Sequence, residues 1–279
     1  MKFTKMHGAG NDYIFIEDFK AAIKNPSKLA IEMSNRNFGV GSDGLILILK
    51  SGTADFKMRM FNSDGSEAEM CGNGIRCFAK YVYDHKLINK DKIAIETKGG
   101  IKDIELKIKD GSVNSIKVDM GEPVFIREKI PMAGNPGMVI NENIHLPDGV
   151  TFQITSLSMG NPHAVIFVED VLNFPVSKYG PIIENLNLFP ERTNVEFVQV
   201  LNKKEIRQRT WERGSGETMA CGTGASAATV AGVLTMQTER KVTVHLDGGD
   251  LKTEWNEKDN HVYLTGQAVE VFRGEWLLS

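Results

Sequence analysis

Two short segments of the 279-residue chain carry the residues best suited to chemistry, Cys71-Gly72-Asn73-Gly74 and Cys221-Gly222-Thr223-Gly224, and they stand 150 residues apart. Each sets a cysteine before two glycines that flank a small polar residue, the pattern of a turn entering a helix. At such a terminus the free backbone N–H groups and the positive end of the helix dipole lower a thiol pKa from about 8.5, and they also bind a carboxylate. The glycines let main chain approach a ligand without a Cβ in the way. A single cysteine of this kind is more often a buried apolar residue beside a helix cap. Two in equivalent places allow a thiolate to take a proton from an acidic C–H while an opposing thiol returns one to the far side, which is what racemisation or epimerisation requires. The α-proton of an amino acid is only weakly acidic, so an enzyme working without a cofactor must meet the developing charge with preorganised donors and exclude water.

The elements that position these turns repeat at the same spacing. Met6 to Asn11 corresponds to Met159-Gly160-Asn161, with Asn161 again 150 residues after Asn11, and KIAIETKGG from Lys92 corresponds to KVTVHLDGG from Lys241 at an offset of 149. In each half an apolar strand begins after the asparagine, at Tyr13 and at His163. A helix follows, from Asn25-Pro26 to about Arg36 and from Ser177 to Leu188. Strands LILIL and FKMRMF in the first half, and VEFVQV and IRQRTW in the second, then lead into the cysteine turns. Helices are expected from about Gly74 to His85 and from Gly224 to Met236. The stretches from Ser115 to Phe125 and from His261 to Phe272 both break at a glycine, so the chain is expected to cross between domains near Gly121 and Gly266. These signals predict an α+β protein of two homologous domains related by a pseudo-twofold, each a mostly antiparallel sheet curled round a central helix. The expected domains are 1–120 with 267–279, carrying Cys71, and 121–266, carrying Cys221. A site at their interface would receive one cysteine from each.

Composition excludes several alternatives. Lys and Arg number 33 against 36 Asp and Glu, a net charge of -3, which gives no electrostatic footprint for nucleic acid or an anionic membrane. The longest strongly apolar run, Leu45 to Leu49, is far short of a membrane helix. The first residues lack the apolar stretch of a secretory signal, so a cytoplasmic protein with reduced thiols is expected. Cys77 corresponds to Ala227 in the other half and is expected to pack inside its helix; its spacing from Cys71, without a further Cys or His nearby, is not that of a metal site. No Gly-rich nucleotide loop is present.

The segments HGAGNDY (7–13), FNSDGSEAEMCGNGIRC (61–77), GNPH (160–163), ERTNVEF (191–197) and WERGSGETMACGTGASA (211–227) together resemble the diaminopimelate epimerase family. The resemblance runs over nearly the whole chain. It implies a duplicated two-domain fold, a pyridoxal-independent reaction interconverting LL- and meso-diaminopimelate, no cofactor and a possible homodimer. Carried over by position, it makes Cys71 and Cys221 the acid/base pair, with the backbone at Gly72-Asn73 and Gly222-Thr223 holding the α-carboxylate. Asn11, Asn62, Asn161, Asn194 and Arg213 match substrate-binding residues, and His163 and Glu212 match residues that assist the thiols, Glu212 also facing the α-ammonium. Arg213 suits a bidentate grip on a carboxylate, and the asparagines can both donate and accept. The sequence departs from the family at Gly44, where many relatives carry glutamine; Asp43 beside it reads as a turn residue.

Taken singly, these residues have plainer explanations. Asn11 and Asn161 follow glycine at strand ends, where turn chemistry favours asparagine, and Glu212-Arg213 reads as a solvated pair. A proline or hydroxyproline racemase is the nearest rival, opposed by Asn73, where such enzymes resemble MCGHG. A phenazine-biosynthesis-like isomerase is more distant because that branch generally lacks the cysteine pair. A redox-sensing or amino-acid-binding module remains the alternative of a different kind.

Overall fold

The computed structural model describes residues 1–68 and 71–277, so Glu69 and Met70, which lead into Cys71, lie outside it. The chain divides into two compact units, Met1–Asp119 with Thr265–Ser279, and Met120–Leu264.

The first unit begins with β1 (Lys2–Gly8), β2 (Asn11–Glu17), α1 (Pro26–Ser34), β3 (Gly44–Leu49), β4 (Phe56–Asn62) and β5 (Glu67–Ala68). It continues with α2 (Gly72–Asp84), β6 (Lys92–Thr97), β7 (Gly100–Lys109) and β8 (Ser112–Asp119). β2 and β3 read as unbroken apolar runs because both of their faces are covered. Ile14, Ile16, Leu45 and Leu47 pack with Leu29, Ala30 and Met33 of α1. The alternate residues Phe15, Ile46 and Ile48 are equally buried, and α2 packs against β1, β2, β3, β7 and β8. α2 is the central helix of the unit and buries Ile75, Arg76, Cys77, Phe78 and Val82.

The second unit repeats the plan: β9 (Val139–His145), β10 (Thr151–Ser158), β11 (Pro162–Phe167), α3 (Val176–Glu184), β12 (Asn194–Asn202), β13 (Glu205–Glu212) and β14 (Gly216–Thr218). Then follow α4 (Gly222–Leu234), β15 (Lys241–Leu246), β16 (Gly249–Trp255) and β17 (Val262–Gly266), on which the chain returns to the first unit and ends in β18 (Val269–Glu275). α4 is buried along most of its length, which its glycines, alanines and small hydroxyl residues permit, and it packs against β10, β11, β12, β15 and β16.

Strand pairing shows the duplication more completely than the motifs do. β1 pairs antiparallel with β2, β2 runs parallel to β3, β3 pairs antiparallel with β4, and β4 runs parallel to β6. β10 to β15 reproduce this order pair by pair. β9 closes the second unit on β10, and β18 closes the first on β1. The architecture is the expected α+β arrangement, with two parallel pairs in each otherwise antiparallel unit.

Helix limits differ from the sequence expectation for identifiable reasons. α2 and α4 begin two residues early because the cysteines themselves are the N-caps. α1 stops at Ser34, where Asn35 is the C-cap. α3 starts one residue early and ends at Glu184, where the Asn185 side chain donates to the Pro181 carbonyl.

Candidate active site

Cys71 caps α2 with extended backbone, and its Sγ accepts the Gly74 N–H at 3.4 Å. Cys221 caps α4 in the same conformation and accepts from Gly224 N–H at 3.3 Å. Oxygen side chains normally fill this position. A sulfur there keeps the next N–H groups, on Gly72-Asn73 and Gly222-Thr223, at the start of the helix where an anion is favoured.

Around Cys71 the first unit builds a polar cluster from the β1–β2 turn. Asn11 Nδ2 donates to Asp43 Oδ2 at 2.7 Å, which fixes the amide so that its Oδ1 turns to the cysteine side. That oxygen accepts Tyr13 Oη at 2.7 Å and Asn73 Nδ2 at 3.3 Å. Tyr13 Oη also lies 3.0 Å from Cys71 Sγ. Asp43 pairs with Arg36, and Asp12 with both Arg36 (2.9 Å) and Lys5 (2.6 Å). Burial works against the Asp12 carboxylate, but its bonds to Arg36 and Lys5 prevail and hold its pKa below the usual range. Arg76, fully buried in α2, donates to Gly72 O and to Asn73 Oδ1 at 2.9 Å, so a guanidinium orders the residue that follows Cys71-Gly72. Burial lowers the Arg76 pKa from its usual value, while the neighbouring Cys77, Cys71 and Tyr13 oppose that shift.

The second unit places different chemistry in the equivalent positions. His163 stands where the repeat has Tyr13, and its Nε2 lies 2.9 Å from Asn161 Oδ1, as Tyr13 Oη bonds Asn11 Oδ1. Its Nδ1 is 2.8 Å from Glu196 Oε1, and both side chains are fully buried. Glu196 corresponds to Ile46, so an apolar residue in one half is a carboxylate in the other. Asn161 Nδ2 reaches Thr223 Oγ1 at 3.3 Å, and Thr223 Oγ1 lies 3.4 Å from Cys221 Sγ. Glu212 accepts Thr218 Oγ1 at 2.5 Å and interacts with the Cys221 thiol. Burial raises the Glu212 pKa, with the charge of Glu196 adding to it.

The sequence expectation that a helix N-terminus would depress the thiol pKa is reversed at Cys221. Burial pushes that thiol well above its ordinary value, and the carboxylates of Glu212 and Glu196 push it further; the contacts from Thr223 and the Gly224 N–H only partly offset them. Cys77 is fully buried in α2, and burial pushes it up to about 12, with Cys71 adding to the shift and Arg76 opposing it.

The remaining residues brace the site. Asn194 donates to Pro162 O at 2.8 Å and accepts the Arg213 N–H at 3.0 Å, fixing the backbone of Arg213, whose guanidinium rests on Glu191 O at 3.1 Å. Asn62, at the end of β4 opposite Gly44, turns its amide to Ser66 Oγ at 2.9 Å and lies outside the hydrogen-bonded cluster around Cys71. A Cβ on Gly44 would sit 2.3 Å from Phe61 O, so the glutamine of many relatives needs a shifted backbone. Asp43 is more than a turn residue, since it orients Asn11. Nothing in residue type or motif singles out Tyr13, Arg76 or Glu196 for the site, and Asp43 reads in the sequence only as a turn residue. The offset of 150 was a usable signal for Tyr13 and Glu196, because it aligns them with His163 and Ile46.

The fold is shared with solved structures of low sequence identity. A Bacillus anthracis phenazine biosynthesis protein of the PhzF family superposes with a TM-score of 0.73 at 17% identity, covering 100% of this chain and 99% of that one. A hydroxyproline epimerase from Agrobacterium vitis gives 0.67 at 12% identity, covering 98% and 90%. The architecture is therefore that of these duplicated α+β proteins. Sequence comparison is more specific. The family model described as Diaminopimelate epimerase matches residues 3–126 and 155–271. A protein of Acetivibrio thermocellus named diaminopimelate epimerase is 56% identical over 275 residues, covering 99% of this chain and 98% of its own. The chain belongs to the diaminopimelate epimerase family and is an enzyme of the isomerase class.

Proposed function

We propose that the chain interconverts LL- and meso-diaminopimelate in the synthesis of lysine and peptidoglycan precursors, without a cofactor, using Cys71 and Cys221 as acid and base. The observation that carries this reading is the matched pair of cysteine N-caps, each opening the central helix of its unit and each accompanied by an asparagine-anchored ring. One thiolate breaks the α-C–H bond and becomes a thiol. The electron pair is delocalised into the α-carboxylate, which the N–H groups at Gly72-Asn73 and Gly222-Thr223 stabilise. The other thiol gives its proton to the opposite face and becomes the thiolate, so no proton is gained or lost over a turnover. The raised pKa of Cys221 keeps it a thiol before substrate binds. Asn11, Asn62, Asn161, Asn194 and Arg213 are the substrate-binding set, with Arg213 on the distal carboxylate. Glu212 and His163 serve the thiols, Glu212 also receiving the α-ammonium.

No helix among the described residues is long and apolar enough to cross a membrane, and a cytoplasmic location belongs to the same reading. So does a homodimer, for which β18 offers exposed Val269, Val271 and Phe272. The test is α-hydrogen exchange during epimerisation of LL-diaminopimelate in deuterated water with no added cofactor. Wild type should incorporate deuterium, and Cys71→Ala and Cys221→Ala should each lose at least about a thousandfold in turnover. Near-normal turnover in either variant overturns the two-thiol mechanism.

A further inference from the structure

We infer that Tyr13 is a positioning residue for Cys71: its one phenolic proton is re-aimed between Asn11 Oδ1 and the sulfur as the thiol loses and regains its own. The inference deepens the two-thiol reading and rests on it for its catalytic meaning. Its geometric basis lies within the first unit. Asp43 can only accept, so its bond to Asn11 Nδ2 leaves Asn11 Oδ1 as an acceptor facing Tyr13. At 2.7 Å the phenol donates to that oxygen, and its lone pairs are then turned to a thiol S–H 3.0 Å away. When Cys71 is a thiolate the sulfur can only accept, and the same O–H turns to it by rotation about a single C–O bond. Asn11 Oδ1 keeps Asn73 Nδ2 at 3.3 Å in that state. Neither protonation state leaves the phenol or the sulfur without a hydrogen bond, and Tyr13 is only 3% exposed.

The equivalent position of the second unit explains why the phenol orients a proton and does not carry one away. His163 grips its asparagine in the same manner but is backed by Glu196, which can share a proton; Tyr13 has Ile46 in that place. Among the described residues, the charged and titratable groups of the first unit around Cys71 are Arg76 and Cys77 from α2, and Asp43, Asp12, Lys5 and Arg36 behind Asn11. Tyr13→Phe replaces none of these side chains, although it removes the phenol's favourable interaction with Arg76.

The test follows iodoacetamide alkylation of Cys71 against pH without substrate, read by peptide mass mapping, alongside kcat and KM. In Tyr13→Phe, loss of the donor to the thiolate outweighs loss of the acceptor for the thiol, because hydrogen bonds to charged groups are about twice as strong. Alkylation of Cys71 at neutral pH should slow about fivefold to tenfold, with its pH profile displaced upward. Turnover kcat should fall about tenfold, recovering as pH rises, while KM changes by less than about twofold. Should Tyr13→Phe fold poorly, 3-fluorotyrosine placed at position 13 keeps the shape, is a stronger donor, and should displace the alkylation profile downward. An unmoved alkylation profile, or a kcat loss that is flat with pH, overturns the inference. A displaced profile in an enzyme whose Cys71→Ala variant still turns over overturns the two-thiol reading and leaves the Tyr13 contact standing.

Discussion

Arg213 is held at its backbone before substrate arrives. Its N–H is bound by Asn194, which is itself anchored on Pro162 O, and its guanidinium rests on a main-chain carbonyl that a carboxylate can displace. Arg213→Lys keeps the charge and loses the planar fork, so KM for diaminopimelate should rise at least about tenfold with a smaller change in kcat; steady-state kinetics over both isomers measure this. An unchanged KM would place the distal carboxylate elsewhere. The residues that could be read from sequence were those with reactive side chains in repeated glycine turns, Cys71 and Cys221 above all. The residues that set their environment were hidden by ordinary disguises. Tyr13 looks like one more core aromatic in an apolar strand, and Glu196 looks like the outward residue of an alternating one. Asp43 has turn chemistry, and Arg76 sits on a helix where a cation usually faces water. What distinguishes them is burial against a particular neighbour, which periodicity does not encode.

Glycine marks how closely each central helix approaches its sheet. A Cβ on Gly224 would lie 2.6 Å from Glu196 Oε1 and 3.1 Å from Gln208 Nε2, both on buried strands. Gly224→Ala should therefore displace the Glu196–His163 pair, lower stability by about 1–3 kcal/mol and reduce activity; urea unfolding paired with kcat reads both. A variant as stable and active as wild type would mean the strand yields without cost. In α2 the pressure comes from an ionisable group. Cys77 unfolded titrates near its reference of 9.0, and folded it is pushed up to about 12. The folded state holds the proton through that window, so its contribution is complete below about pH 9 and is lost as pH rises toward 12. The loss amounts to about 4 kcal/mol. Cys77→Ala should flatten this alkaline decline in unfolding free energy, and an equally steep decline would assign it to other groups, Cys221 among them. The positions of α2 and α4 were legible from the repeat, but their first turns were not, because a cysteine is seldom the cap.

Across the whole molecule, the ladder of strands was legible to the extent that duplicated motifs fixed its order. Its two parallel pairs per unit were not, since they depend on where α1 and α3 return the chain. The two units also differ in how their residues are distributed along the polypeptide. The second is one continuous stretch, Met120–Leu264, whereas the first recruits the C-terminal segment from Thr265. β1 lies between β2 and β18, and Phe3 meets Phe272 edge-on at 5.9 Å and closely abuts Gly274. On the ribosome this inverts the usual order of maturation. The first unit must wait, β1 uncovered on one side, until the residues from Thr265 onward are made, by which point the whole of the second unit has been synthesised.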